Sequence, residues 1–470
     1  MKKSISILAT ALFIGVLGTS CSKNDDAIVP PPPAGSTVVE LSGNLETQTL
    51  LESKKYLIKG QVFVRDGKTL TIQPGTVIMG DKSTKGTLII DRGAKIIANG
   101  TVSKPIVFTS ALTAGTRDRG DWGGLIILGK AVVNVPDPAI EGITPAVTYG
   151  GTMDNDNSGV LNYVRVEFAG IELTPNNETN GITLGGVGSG TIMTNCQVSF
   201  GGDDGYEWFG GSVNGKNLIS FGSWDDSFDI DFGYTGKLQF LLDVRYSYAD
   251  QSGSSGVECD TNANDGVPLQ GTLTTGVISN LTCVGPRATA TQVVNANFQQ
   301  AIDLRRRTAL SIGNSVMIGY PRGIRMNQNS VFDNYAAGTG VLMNNILVAD
   351  LLPYNVGTTA GTASVASVTA LWTLPANGNT TITAIIGTPF DIPATFVTLG
   401  LNPAIAFGTN LNTAYPANPN FAVTTGTLAT GASFTNSKFA GLEVVTYEGA
   451  FGATDWTDMW AEFNPIGKAY

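Results

Sequence analysis

Between Lys59 and Asp350 apolar and polar residues alternate over short runs, and no stretch of ten or more residues keeps a 3.6 period. Gly, Asn and Asp separate the runs, as in "GQVFVRDGKTLTIQPGTVIMG" and "GTLIIDRGAKIIANGT". That pattern predicts many short strands joined by tight turns. Further along, two strand types take turns. A longer one ("TIMTNCQVSFGG", "KNLISFGS", "KLQFLLDVRYSYAD", "GVISNLTCVGP", "LSIGNSVMIGYPRG") is followed each time by a shorter one ("GYEWFG", "FDIDFG", "VECDTN", "IDLRRR", "GIRMNQ"). Asp203-Asp204 returns as Asp225-Asp226 and Glu207 as Asp229, each after 22 residues. Two short strands cannot bury their own apolar side, so the repeat predicts an all-β parallel solenoid whose stacked coils make the core.

Alternate side chains of a strand face opposite ways, which sorts the shorter strands. Tyr206, Trp208, Ile230, Val257, Cys259, Ile302, Leu304, Ile324 and Met326 are expected inside. The outward positions of five successive coils then form two columns. One reads Glu207, Asp229, Glu258, Asp303, Arg325; the other reads Phe209, Asp231, Asp260, Arg305, Asn327. The aspartate doublets lie in the turns entering this face, and residues 249–256 and 286–300 lengthen later turns. Like charges about 5 Å apart at an effective dielectric near 20 oppose folding by roughly 3 kcal/mol before solvent screening. A bound cation, the arginines (Arg305, Arg306, Arg307, Arg322, Arg325) or protonation can offset that. Calcium suits carboxylate and turn-carbonyl oxygens. Its expected ligands are Asp203, Asp204, Asp225, Asp226, Asp229 and Asp231. The expected ligand-binding set is Glu207, Asp229, Asp231, Glu258, Asp260, Asp303, Arg305, Arg325 and Asn327. Phe209, Tyr234, Tyr248 and Tyr320 are either packing residues or platforms for a sugar ring.

Composition narrows the function. The 470 residues carry a net charge of −10, which disfavours a nucleic-acid or anionic-membrane partner. The chain has no histidine, so mechanisms that need one are excluded, including Ser-His-Asp triads and His-ligated zinc. Cys196, Cys259 and Cys283 make no complete disulfide framework and read as small core residues. Gly185–Gly190 spaces its glycines like a phosphate loop, but no helix or Lys-Ser/Thr pair follows, so a turn is expected.

Residues 1–20, with Lys2, Lys3 and an apolar run from Ile5 to Leu17, read as a signal peptide. Cys21 follows at a site that resembles a bacterial lipobox, with Gly18 where that pattern has Leu. Residues 21–37 then hold the expected acylated cysteine, an export signal "SKNDD" that resembles the one of Bacteroidota lipoproteins, and a stiff "PPPP" spacer. Residues 38–350 are the expected solenoid. Residues 351–470, Thr/Ala-rich and ending in "TDWTDMWAEFNP", are expected to add insertions and last coils and to cap the open end with Trp456, Trp460 and Phe463.

"LTIQPGTVI", "GTLIIDRGAKIIANGT", "KPIVFTS" and "GDWGGLIILG" resemble the right-handed parallel β-helix of the pectate-lyase-like superfamily, in the form found in Bacteroidota surface lipoproteins. The resemblance runs from about Val38 to the C-terminus. It implies a lipid-anchored outer-membrane protein at the cell surface that binds a glycan or another extended polar ligand, in company with a TonB-dependent transporter. Its alternative implication is a calcium-dependent polysaccharide lyase with Arg305 or Arg325 as base. The polygalacturonase-like pattern matches Asp203-Asp204 but needs a Gly-His-Gly segment that a histidine-free chain lacks.

Overall fold

The computed structural model describes residues 38–470 except 176, 248, 251–252, 262–267, 270, 290–291, 350–351, 358–360, 384–391 and 408–414. The leader, Cys21, the proline spacer and Tyr248 lie outside the described residues. Among the described residues, twenty-six strands pair in parallel into one continuous right-handed β-helix, from Val38–Leu45 to Thr380–Thr383.

Each coil has three strands, one more than the alternation predicts. The longer runs are bent in two. In Ile192–Ser199 the bend falls at Asn195, which has φ +51°. Asn217, Asn280, Asn314 and Asn344 repeat that left-handed conformation in later coils, with Phe240 taking the place once. Asn tolerates it better than other side-chain-bearing residues. At Asn314 the run is split outright, into Ser311–Gly313 and Val316–Ile318. The halves before the bend stack as sheet 1, the halves after it as sheet 2, and the shorter strands as sheet 3.

Sheet 3 keeps the predicted register. Tyr206, Phe228, Val257, Ile302 and Ile324 form one interior column; Trp208, Ile230, Cys259, Leu304 and Met326 form the next. All are at most 1% exposed. The three cysteines are free and buried.

Two helices fit the end of the stack. Helix α1 (Asn329–Ala336) follows the last arginine strand, and α2 (Val365–Trp372) puts Val368 and Trp372 into the interior cluster beside Tyr354. The end is thus closed by α2. The C-terminal aromatics go elsewhere. Trp460 and Phe463, with half-buried Trp456 beside them, join a second cluster with Phe168, Phe221 and Leu242 on the outer side of sheet 2. Helix α3 (Ile392–Leu399) begins this covering, and the chain then runs back along the stack. Ser433 bonds Asn314, Glu443 bonds Gln239, Glu462 bonds Gln197, and Tyr470 reaches Lys55. The expected cap is therefore a lateral strap. Sheet 2 has apolar residues on both faces, and the outer face needs cover.

Candidate functional site

Glu207, Asp229, Glu258, Asp303 and Arg325 are direct neighbours, one per coil, along the outward side of sheet 3. In the parallel column Phe209 neighbours Asp231, and the backbone ladder carries on through Asp260, Arg305 and Asn327. The turns from sheet 2 lay Asp203-Asp204 and Asp225-Asp226 against the column's start, where the Asp204 carboxylate accepts from the Asp226 N–H at 2.8 Å.

The columns divide by charge. At the arginine end, Arg305 forks onto Asp260 through Nε and Nη2 at 3.0 and 2.7 Å, and its Nη2 also meets Glu258. Arg306 reaches Asp260 at 2.7 Å, and Arg325 forks onto Asp303, with Nε at 2.8 Å. Burial opposes the charge of Arg305, but the Asp260 hydrogen bond and the Glu258 carboxylate outweigh it, so its pKa is raised. An arginine so held is the reverse of a base, which needs a depressed pKa.

At the other end the carboxylates face one another. Those of Asp203, Asp204 and Asp225 lie within 4.8 Å of one another; so do Asp204, Glu207 and Asp229, and Asp226, Asp229 and Glu258. Asp231 falls in none of the three groups. Burial first, then the neighbouring charges, holds Asp203, Asp204, Glu207, Asp226, Asp229, Asp231 and Glu258 well above the usual carboxylate range. Among the described residues, Oδ1 of Asp229 and of Asp231 is buried without a hydrogen-bond partner. An all-oxygen set with orphaned acceptors fits a hard cation such as calcium.

Two hollows adjoin this end. One of about 310 Å³ lies between Glu207, Asn180, Tyr149 and Phe209. One of about 670 Å³ lies over Asp203, Asp225 and Trp224. The antiparallel hairpin Glu172–Thr174 with Asn177–Glu178 borders both. Of the aromatic candidates, Phe209 borders the smaller hollow, whereas Tyr234 and Tyr320 are 0% and 1% exposed and cannot meet a ligand.

Asn180, which hydrogen-bonds Glu207, and Trp224 escaped the sequence reading. Asn180 comes from a coil that precedes the acidic repeat, where no pattern marks it. Trp224 had a signal: it stands one 22-residue coil after Gly202, a bulky indole where the preceding coil has a glycine.

A stacked parallel β-helix with a carboxylate-rich hollow along one sheet is a pectate-lyase-like β-helix architecture, which suggests a carbohydrate-related function. The model of the pectate-lyase-like β-helix domain matches residues 43–387, and the chain belongs to that family. No curated protein matches the chain, and neither does any solved structure.

Proposed function

We propose that this protein is a lipid-anchored outer-membrane lipoprotein, displayed at the cell surface through acylated Cys21, that binds a glycan or acidic polysaccharide along sheet 3. Calcium held among the carboxylates of Asp203, Asp204, Asp225, Asp226 and Asp229, with Asp231 beside Asp229 rather than in the groups that converge, is part of that site. A TonB-dependent transporter in the same membrane is its expected partner. The observation that carries the reading is the split of the columns: Arg305 and Arg325 fork onto Asp260 and Asp303 at one end, with Arg305 also meeting Glu258, and toward the other end the carboxylates of Asp203, Asp204, Asp225, Asp226, Glu207 and Asp229 crowd one another. The orphaned Asp229 and Asp231 oxygens give a cation something to satisfy. A polysaccharide lyase with Arg305 or Arg325 as base is less well supported, because both guanidiniums already fork onto carboxylates.

The test pairs retention with turnover. Purified protein is passed over immobilised polysaccharides in calcium and then in chelator, and pectate and alginate digests are followed in the ultraviolet. Retention that needs calcium, with no rise in absorbance, is expected. An unsaturated uronate product that disappears in Arg305→Lys would establish the lyase instead.

A further inference from the structure

Behind the second aspartate doublet the interior of the β-helix carries charge. An inward column of sheet 2 runs Val198, Ser220, Asp243, Cys283 and Met317, one residue per coil. Asp243 is fully buried and accepts from Ser227 Oγ at 2.5 Å, Tyr320 OH at 2.7 Å and Cys283 Sγ at 3.2 Å. Arg245 is fully buried too. Its Nη1 donates to the same Ser227 Oγ at 3.0 Å and its Nη2 to the Trp224 carbonyl at 3.2 Å, while its Nε has no partner among the described residues. Stability is weak ground for keeping such charges inside, since apolar residues that fill the same volume often serve as well.

What the group holds is one turn. Asp225 and Asp226 stand between Trp224 and Ser227, the two residues to which Arg245 donates. The Asp226 N–H donates to the Asp204 carboxylate at 2.8 Å, and the Asp226 carboxylate accepts from the Ser255 N–H, so the turn is tied to the coils before and after it. Ser227 occupies a place where both neighbouring coils have glycine, Gly205 and Gly256, just ahead of their sheet 3 strands. A Cβ on Gly205 would come within 2.4 Å of Ser220 Oγ, and one on Gly256 within 2.5 Å of Cys283 Sγ. Of these three coils, only the one bearing Asp225-Asp226 has an inward hydroxyl there.

Resting on the cation reading above, we infer that Asp243, Ser227 and Arg245 are positioning residues for calcium, bracing the 224–227 turn from the interior. None of them touches the ion. They hold the carboxylate of Asp225 against those of Asp203 and Asp204, and that of Asp226 against those of Asp229 and Glu258. Ligands fixed beforehand lose little freedom when the ion arrives. The charge of Arg245 by itself would oppose a cation, so its contribution lies in the planar fork that spans Ser227 and the Trp224 carbonyl.

Calcium binding by the full chain is measured by isothermal titration calorimetry for wild type, Ser227→Ala, Arg245→Lys and Cys283→Ala, with thermal melts in chelator alongside. Ser227→Ala keeps both charges and cuts their link to the turn. Arg245→Lys keeps the charge and loses the fork. Cys283→Ala removes a donor to Asp243 that stands outside the turn. The first two are expected to weaken calcium binding about tenfold or more, the usual effect of losing a group that orients a metal ligand, and the third to leave it within about twofold. A merely structural role would lower the melting temperature in chelator for all three and leave calcium affinity alone. Circular dichroism checks the fold, and Ser227→Ala, the smallest change, decides the matter where Arg245→Lys does not fold. Unchanged calcium affinity in Ser227→Ala, or an equal loss in Cys283→Ala, overturns the positioning role while leaving the cation site in place. A wild type that takes up no calcium overturns the cation reading itself, and this role with it.

Discussion

Asp229 has Glu207 on one side of its column and Glu258 on the other, and it belongs to two of the three carboxylate groups. Burial, then the charges of Asp231 and Asp260, raises its pKa. A group whose folded pKa lies above its unfolded value, about 4 for a carboxylate, stabilises the fold at low pH. That stability is lost as pH rises through the folded pKa. In chelator, therefore, the melting temperature should fall as pH rises from above the ordinary carboxylate range into the alkaline range. Calcium should restore it at the upper end and do little at the lower. Asp229→Asn removes one of the repelling charges, so in chelator at pH 8 it should be more stable than wild type by about 1–3 kcal/mol. The same substitution should abolish most of the calcium-induced shift, read by thermal melts. A variant less stable than wild type in chelator, and still fully responsive to calcium, would move the cation away from Asp229. The column was legible because period 2 in the shorter strands and a 22-residue repeat together fix which residues face out and which neighbour which. What the repeat could not give is how far Arg305 and Arg325 reach, since side-chain reach is set by rotamer rather than by register.

At the scale of the elements, the corner between sheets 1 and 2 was the unread feature. "TIMTNCQVSF" reads as one strand by composition. Its members of the interior cluster, however, are Met193, Cys196 and Val198, a spacing of three and then two. A strand cannot keep one face inward across a step of three unless it turns, and the left-handed Asn195 is that turn. Leu238 and Leu241, and Ile278 and Leu281, repeat the step across Phe240 and Asn280. The corner also fastens the strap. Asn314 Nδ2 donates to Ser279 Oγ at 3.2 Å and to the Ser433 carbonyl at 3.1 Å, and its Oδ1 accepts from the Ser433 N–H at 2.8 Å. Asn314→Ala would strand those groups and put Ala in a conformation that costs it about 1 kcal/mol. A total loss of about 2–4 kcal/mol follows, at roughly 1 kcal/mol per buried hydrogen bond. Urea unfolding measures it, and proteolysis should cut first near residue 433. A loss under about 1 kcal/mol would mean that the corner tolerates any small residue.

For the whole molecule the deciding question is why the C-terminal aromatics lie along the stack rather than over its end. The answer was present in the runs "QFLLDV" and "NILVA", which are apolar at successive positions, as strands buried on both faces are. Ile219, Phe221, Leu242, Val244, Ile318 and Val348 all point out of the β-helix and are at most 2% exposed, because the strap covers them. Alone, a solenoid's coils contact only their neighbours, so stability is local and can be lost piecewise. Here one segment crosses from the coil of Asn314 back to Lys55, linking positions up to 415 residues apart. The strap should therefore make distant coils unfold together. Full-length protein is expected to show one urea transition, coincident by tryptophan fluorescence and circular dichroism. A chain ending at residue 400 exposes the outer face of sheet 2. It should unfold in a broader or stepwise transition with a smaller m-value, since m scales with the surface released in each step. Stepwise unfolding of the full chain, or an equally sharp transition in the shortened one, would show that the coils are coupled through their own stacking and that the strap only shields them.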